Sequence, residues 1–406
     1  MRRVIVIGGG ASGLMAAYTA ASSGKSVLLL EKNEKLGKKI YITGKGRCNL
    51  TNDCTPEDFL ANVVRGRKFL TRAAYVFPPS RTMLFFEEHG LALKVERGNR
   101  VFPVSDHASD VTKTLEHACR NAGVEIRLNE AVTEIETEHG AVSAVRTAAG
   151  RYVCDAVVIA TGGLSYPSTG STGDGYRFAE SAGHAVTPCT PSLVGIELLQ
   201  DLSSAQGVSL KNVTLSARRG KKTIFSQFGE LLFTHYGVSG PLVLTLSALI
   251  GHDIPLSEIT MTLDFKPALD EKQLDERLLR DFTERRNETM KNVMRGLLPA
   301  GIVMPVLQKA RVRPDKQANS VTREERRAIL SALKTFPMQP TALRGFEEAV
   351  ITAGGIALSK IDPSTMRSRL TEGLSFCGEV LDCDAFTGGF NLQIAWSTGY
   401  LAGKNA

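Results

Sequence analysis

The chain has 406 residues, 43% of them hydrophobic and 22% charged, with a formal net charge of +7. That length supports two or three domains with a substantial core, and the balance excludes disordered and fibrous classes. The longest membrane-like stretch, Pro241 to Gly251, is too short to span a bilayer.

The first strand is expected at Val4–Ile7, which leaves no room for a signal peptide. Seven cysteines (48, 54, 119, 154, 189, 377 and 383) include no CxxC, so they are expected to be reduced thiols in a cytoplasmic protein. The excess positive charge suits an anionic ligand or nucleic acid, but the expectation here is unselected surface charge.

Val4–Ile7 reads as a buried parallel strand. It runs into Gly8, Gly10 and Gly13, a G-x-G-x-x-G turn opening a helix from Ala11 to about Ser23. Gly8 allows the tight turn, Gly10 lets backbone approach a pyrophosphate, and Gly13 lets the helix pack on the strand. The helix directs its N–H groups and positive dipole end at the phosphates. A second apolar run, Ser26–Leu30, ends at Glu31, placed where a carboxylate would accept hydrogen bonds from an adenosine ribose. Strand, turn, helix and acid together point to a dinucleotide site, without deciding between NAD and FAD.

A Gly/Lys-rich loop follows, Gly44 to Asn52, expected to pass the pyrophosphate and a flavin with positive charge from Arg47 or Lys45. Cys48 and Cys54 raise the alternative of a redox disulfide. Their C-x5-C spacing, and the lack of a C-terminal His/Glu pair, favour a reduced and packed Cys48.

Residues 107–122 are predicted to be helical, and Val124–Leu128, Ala131–Glu136, Val142–Thr147 and Tyr152–Ile159 to be strands. The last of these delivers Ala160, Thr161, Gly162 and Gly163, a second strand-to-glycine turn suited to the same ligand.

From Pro188 the pattern changes. Short alternating runs between 192 and 265 predict a β-rich unit; 267–336 then switch to helical periodicity with fifteen Lys/Arg against ten Asp/Glu. Arg285, Arg286, Arg311, Arg313, Lys316, Arg326 and Arg327 form a possible nucleic-acid face, but their interleaving with Glu marks a solvated surface, so nucleic acid is not an expected partner. His235 and Tyr236 close an apolar run before a Gly/Pro turn. Two roles stay open for them: proton donors on the substrate side of a flavin, or structural side chains at a strand end. Ser165 and Tyr166 are weaker candidates of the same kind.

α/β character returns from about Ala349. Gly378 and Glu379 end a strand, and Gly388-Gly389-Phe390-Asn391-Leu392 opens a last helix. Glu379 suits a ribitol hydroxyl, and that helix N-terminus suits the electron-rich pyrimidine edge of a flavin. This second element favours FAD over NAD.

These blocks together (RRVIVIGGGASG, TGKGRCNLTN, ATGG, LLFTHYGVSGP, TAGG and GEVLDCDAFTGGFNLQ) resemble the BaiN-like, aminoacetone-oxidase-like family of FAD-dependent oxidoreductases. More distantly they are similar to fumarate reductase and succinate dehydrogenase flavoprotein subunits. The resemblance implies an α/β, Rossmann-like, glutathione-reductase-type FAD domain interrupted by a β-barrel-like domain with a helical subdomain. The expected boundaries are 1–188, 189–266 (β-rich), 267–336 (helical), 337–348 (β return) and 349–406.

The resemblance implies non-covalent FAD held by Gly8, Gly10, Ser12, Gly13, Glu31, Lys32, Lys39, Thr43, Gly44, Arg47, Cys48, Asn49, Thr161, Gly162, Glu379, Asn391 and Leu392. The flanking turns add Ala11, Ala160, Gly378, Gly389 and Phe390. Asp382-Cys383-Asp384-Ala385 stands where Asp-x-Asp-Gly is expected. The implied chemistry is amine oxidation or reduction of a conjugated double bond in a small organic substrate. The alternative is a redox-sensing or nucleic-acid-associated flavoprotein without small-molecule turnover. No second full G-x-G-x-x-G is present, so NAD(P)H is expected only as a transient reductant. No metal site is expected.

Overall fold

A computed structural model describes residues 1–406. The backbone divides into two compact units, residues 1–192 with 346–406, and residues 193–345.

In the first unit, β1 (Arg3–Ile7), α1 (Ala11–Ser22), β2 (Ser26–Leu30), α2 (Ala108–Asn121), β3 (Glu125–Arg127) and β4 (Ala156–Ile159) are the elements around the glycine turn. In the second, β5 (Ile196–Leu198), β6 (Ser209–Arg219), β7 (Lys222–Phe233), β8 (Gly237–Ser239) and β9 (Ile259–Asp264) are followed by helices α3 (Glu271–Glu284), α4 (Ala300–Ala310) and α5 (Arg323–Lys334). The strands β10 (Phe336–Met338) and β11 (Pro340–Leu343) end it. The chain then returns to the first unit with β12 (Leu374–Phe376) and α6 (Phe390–Asn405).

The first unit is built on a five-stranded parallel sheet, order β12-β4-β1-β2-β3. β1 is central, which is why Val4 and Val6 are 1% and 0% exposed: a parallel sheet covered on both faces takes a continuous apolar run. Both dinucleotide-type turns therefore leave neighbouring parallel strands, β1 and β4, at the same C-terminal end of the sheet. α6 lies along α1 at very short range. A Cβ on Gly399 or Gly403 would meet the backbone of Ser12 or Ala16, so these glycines set the spacing of the two helices.

The stretch Tyr152–Ile159 is not one strand. Arg151–Val153 joins an antiparallel three-stranded sheet with Ala141–Thr147, and β4 joins the parallel sheet. The break falls at Asp155, whose carboxylate accepts from the Arg3 N–H at 2.7 Å and turns the chain between the two sheets.

The second unit is a seven-stranded antiparallel sheet, order β10-β9-β6-β7-β8-β5-β11. Its outer strands β10 and β11 are separated only by Gln339, so the sheet must curve until its edges adjoin. Leu215, Ala217, Met261 and Leu263 share a core with Leu274, Leu278, Ile329 and Leu333 of the helices. α3 and α5 start with reciprocal capping boxes, Asp270 with Gln273 and Thr322 with Glu325, which satisfy the first free N–H groups.

Candidate FAD site

The glycine turn has the geometry that a dinucleotide requires. Gly8 has φ +104°, and a Cβ there would lie 2.6 Å from the Ala160 carbonyl oxygen. A Cβ on Gly13 would run into the Gly8 carbonyl oxygen. Gly10 differs: it precedes α1 at φ −83°, and a Cβ there would meet nothing within 4 Å. Open space in front of Gly10, beside a twelve-residue helix start that has no side-chain cap, is where a pyrophosphate would sit.

Glu31 ends β2 and is 7% exposed. One carboxylate oxygen accepts from the Gly9 N–H at 2.7 Å, and the other from the Asn33 backbone and side-chain nitrogens at 2.8 and 2.7 Å. Three of about four lone-pair positions are thus used within the protein, leaving capacity for a ribose hydroxyl. The acid thus braces the glycine turn. Glu31→Ala should weaken FAD binding by about 10- to 150-fold, about 1.5–3 kcal/mol, in titrations of the apoprotein. Unchanged affinity would remove Glu31 from the site.

Lys32 is held by Thr172 and Asp174 at 2.5 and 2.6 Å, pinning the 165–176 loop against the end of β2. Lys39 reaches Ser165 and Glu379, each at 2.5 Å. The second Glu379 oxygen accepts from Ser165 Oγ at 2.5 Å and from the Thr352 N–H at 3.0 Å. Thr352 Oγ1 in turn accepts from the N–H groups of Leu164 and Ser165. Lys39 and Glu379, 340 positions apart, therefore share one hydrogen-bonded cluster with Ser165 and Thr352. Sequence reasoning missed Thr352 and Asp174; the TAGG and Ser-Thr-Gly-Asp-Gly strings were the available signals. Near Ala160 (3% exposed) and Gly162 (φ +74°), Thr161 buries its Oγ1 without a protein hydrogen-bond partner, packed where a Cβ on Gly175 would run into it, so this hydroxyl faces the protein interior.

The C-terminal elements close on this turn from α6. Gly378 (φ +79°) abuts Ser12, whose Oγ donates to the Cys377 carbonyl at 3.4 Å. A Cβ on Gly389 would collide with Thr51 backbone. The Gly389 N–H donates to the Asn49 side-chain oxygen at 3.0 Å in the amide orientation that satisfies both partners. That N–H is thus committed to Asn49 rather than to a flavin edge. The Asn391 side chain brackets Ala385, accepting from its N–H at 2.9 Å and donating to its carbonyl at 2.8 Å. Phe390 is buried, while Ala11 and Leu392 are half-buried. Ala385 is extended and paired with Val63, so this position needs no glycine. Beside it, buried Asp384 is held by Arg65 at 2.8 Å.

In the 43–52 loop Gly44, Lys45, Gly46 and Cys48 take positive φ, at 57°, 59°, 86° and 59°. Thr43 Oγ1 donates to Ile40 O at 2.7 Å. Arg47 is not a free charge. Its guanidinium pairs with Glu96 and Asp106 and lies 4.2 Å from the centre of the Phe102 ring.

All seven cysteines are free thiols. Burial pushes Cys48 up to about 12, and Cys54 to about 11. Cys119, Cys154 and Cys377 also reach about 12 by burial. Alkylation of the native protein at neutral pH should therefore leave Cys48, Cys119, Cys154 and Cys377 unmodified, and all seven should react after denaturation. A Cys48 adduct on the native protein within minutes would contradict this.

His235 and Tyr236 lie in the other unit, in the turn between β7 and β8. His235 is exposed. Tyr236 stands edge-on to it at 5.0 Å, lies under the Arg344 guanidinium at 4.5 Å, and fits only because Gly195 has no Cβ. Of the seven cations on the helical segment, Arg285, Arg313, Lys316 and Arg326 carry carboxylate partners, as a solvated face does. No helix is long and apolar enough to cross a membrane.

The model of the HI0933-like protein Rossmann domain matches residues 2–405. The chain belongs to this family of FAD-dependent oxidoreductases. It is 33% identical to the 3-dehydro-bile acid delta(4,6)-reductase of Clostridium scindens, over 100% of this chain and 99% of that protein. It is 30% identical to the ribosomal RNA dihydrouridine synthase of Escherichia coli K12, over 99% of this chain and 97% of that one. In fold it is similar to the open conformation of a flavocytochrome c3 fumarate reductase, with a TM-score of 0.53 at 17% identity, over 100% of this chain and 78% of that one.

Proposed function

We propose that this protein uses non-covalently bound FAD to reduce a carbon–carbon double bond conjugated with a carbonyl group in a small organic molecule. One observation carries the choice of reduction over amine oxidation. Two relatives alike over nearly their whole length bear names that describe addition of hydrogen to such a bond, in a 3-oxo bile acid and in a uracil ring. When bound, FAD would supply the hydride. The chain's part is to hold it. The N-terminus of α1 and the space before Gly10 take the pyrophosphate, Glu31 takes the adenosine ribose, and the Ala160–Gly162 turn with the Lys39–Glu379 pair takes the ribityl side. A proton must also reach the substrate, and His235 and Tyr236 are the proposed donors. NAD(P)H is proposed as the transient source of electrons.

The test is to reduce the FAD-loaded protein anaerobically and mix it with a 3-oxo steroid bearing double bonds at positions 4 and 6. Return of the oxidised flavin absorbance, with loss of the dienone absorbance, is the expected result. Bleaching of the oxidised flavin by simple amines, with no reaction of the dienone, would overturn the proposal. NADH and NADPH are assayed as reductants in the same experiment.

The second substrate class is uracil within RNA. The net charge of +7 and the 30% identity to a ribosomal RNA dihydrouridine synthase favour it. Conversion of uridine to dihydrouridine in RNA, read by the two-dalton mass increase, distinguishes it from the small-molecule case.

A further inference from the structure

We propose that the exposed face of the antiparallel sheet in residues 193–345, with the tip of its longest hairpin, is a docking surface for single-stranded RNA. This rests on the RNA alternative just given, and extends it to a place on the molecule.

β6 and β7 meet through Arg218-Arg219-Gly220-Lys221-Lys222, four cations in five residues, all exposed. Only Arg219 has a carboxylate partner, Glu258 at 2.5 Å. Arg218, Lys221 and Lys222 have none. Unpaired like charges at a tight turn repel one another, and an anionic chain relieves that repulsion.

The face behind the tip has matching chemistry. Val213, Leu215 and Ala217 of β6 are buried in the core, so Thr214, Ser216 and Arg218 take the opposite face. Across the ladder Ser216 stands opposite Ser226 of β7 and Thr262 of β9, and Arg218 opposite Thr260. These hydroxyls suit ribose 2′-OH groups and phosphate oxygens. Thr214 stands opposite Phe228, whose ring is 63% exposed in mid-strand. An exposed ring on a hydroxyl-rich sheet is the platform on which a base stacks. The one carboxylate in those rows, Asp264 opposite Thr214, is neutralised by Lys334 at 2.6 Å. Glu230 lies farther along β7, away from the tip. Phe228 and Lys222 are separated by about 20 Å of strand, so ring and cations would engage different nucleotides.

The experiment is fluorescence anisotropy of the FAD-loaded protein with a labelled, unstructured uridine-rich RNA oligonucleotide, from low to physiological salt. A variant combining R218A, K221A and K222A should flatten the slope of log affinity against log salt by about 2, from three lost phosphate contacts on a single strand. Phe228→Ala should weaken RNA binding about 5- to 150-fold, while its salt slope and its retention on heparin stay unchanged, because heparin has no bases to stack. Unchanged RNA affinity in both variants overturns the surface. Equal weakening toward RNA and heparin in Phe228→Ala overturns base stacking there. Dihydrouridine formed at the parental rate by both variants overturns the surface while the RNA alternative stands. RNA binding lost in the variants, with no dihydrouridine formed by the parent, supports the surface and removes uridine as substrate. No RNA binding by the parent overturns the surface outright.

Discussion

Gly10→Val should lose FAD while leaving the fold as stable as the parent, and Gly13→Ala should lose both. The contrast follows from what each new side chain meets. Ahead of Gly10 there is open space within the protein, so a larger side chain collides only with an incoming pyrophosphate. Affinity should fall by at least tenfold, about 1.4 kcal/mol, in apoprotein titration. At Gly13 a single methyl group meets the Gly8 carbonyl oxygen, which belongs to the turn that α1 packs upon. Relieving that contact means withdrawing the helix from the sheet, at about 1–3 kcal/mol or more, and it misaims the N–H groups as well. Thermal unfolding of the two apoproteins, beside their FAD titrations, separates the effects. A Gly10→Val protein that binds FAD as tightly as the parent would move the pyrophosphate away from the β1–α1 turn.

His235→Ala should retain the flavin and lower the rate at which the reduced protein transfers electrons to its substrate, by a factor of about 10² to 10⁴. Retention follows because the residues proposed to hold FAD all lie in residues 1–192 and 346–406, whereas His235 lies in residues 193–345. The size of the rate effect follows from the loss of a positioned proton donor in exchange for water. His235 is exposed at a turn. Tyr236, held between Arg344 and Gly195, is the fixed member of the pair. Tyr236→Phe separates its hydroxyl from its packing. Equal rates in parent and His235→Ala, with Tyr236→Phe slowed, would pass the proton to the tyrosine. Equal rates in all three would leave both side chains as the closure of a strand end.

The glycine turn, Glu31 and the two strand-to-turn units were legible from residue order because their physics is local. A φ of +104° at Gly8, or a helix start without a side-chain cap, is written in a few consecutive residues. The apolar run at Val4–Ile7 has no alternation because both faces of β1 are covered, and that too can be read from the string. Of Arg285, Arg313, Lys316 and Arg326 on the helical segment, only Arg285 finds its carboxylate at helical spacing, Glu288 three positions on; Lys316 pairs with Glu325 nine positions away and Arg326 with Asp275 across 51.

What residue order alone left undecided is pairing over long separations. Lys39 meets Glu379 across 340 positions, and Thr352 ties both to Ser165; no local pattern selects these partners, because sheet order and helix packing do. Arg47 is another such case. Its charge is legible, but its neutralisation by Glu96 and Asp106 depends on where the Leu93–Pro103 hairpin folds back. The same holds for the Gly389 N–H, which is claimed by Asn49, and for the exposed ring of Phe228, which strand alternation leaves outward once the cross-strand register is set. Turn conformation and apolar period are local properties of the backbone, so a dinucleotide cradle is written in residue order. Which charges within that cradle remain available follows from packing, because a charge is spent or free according to what lies within about 4 Å of it in space.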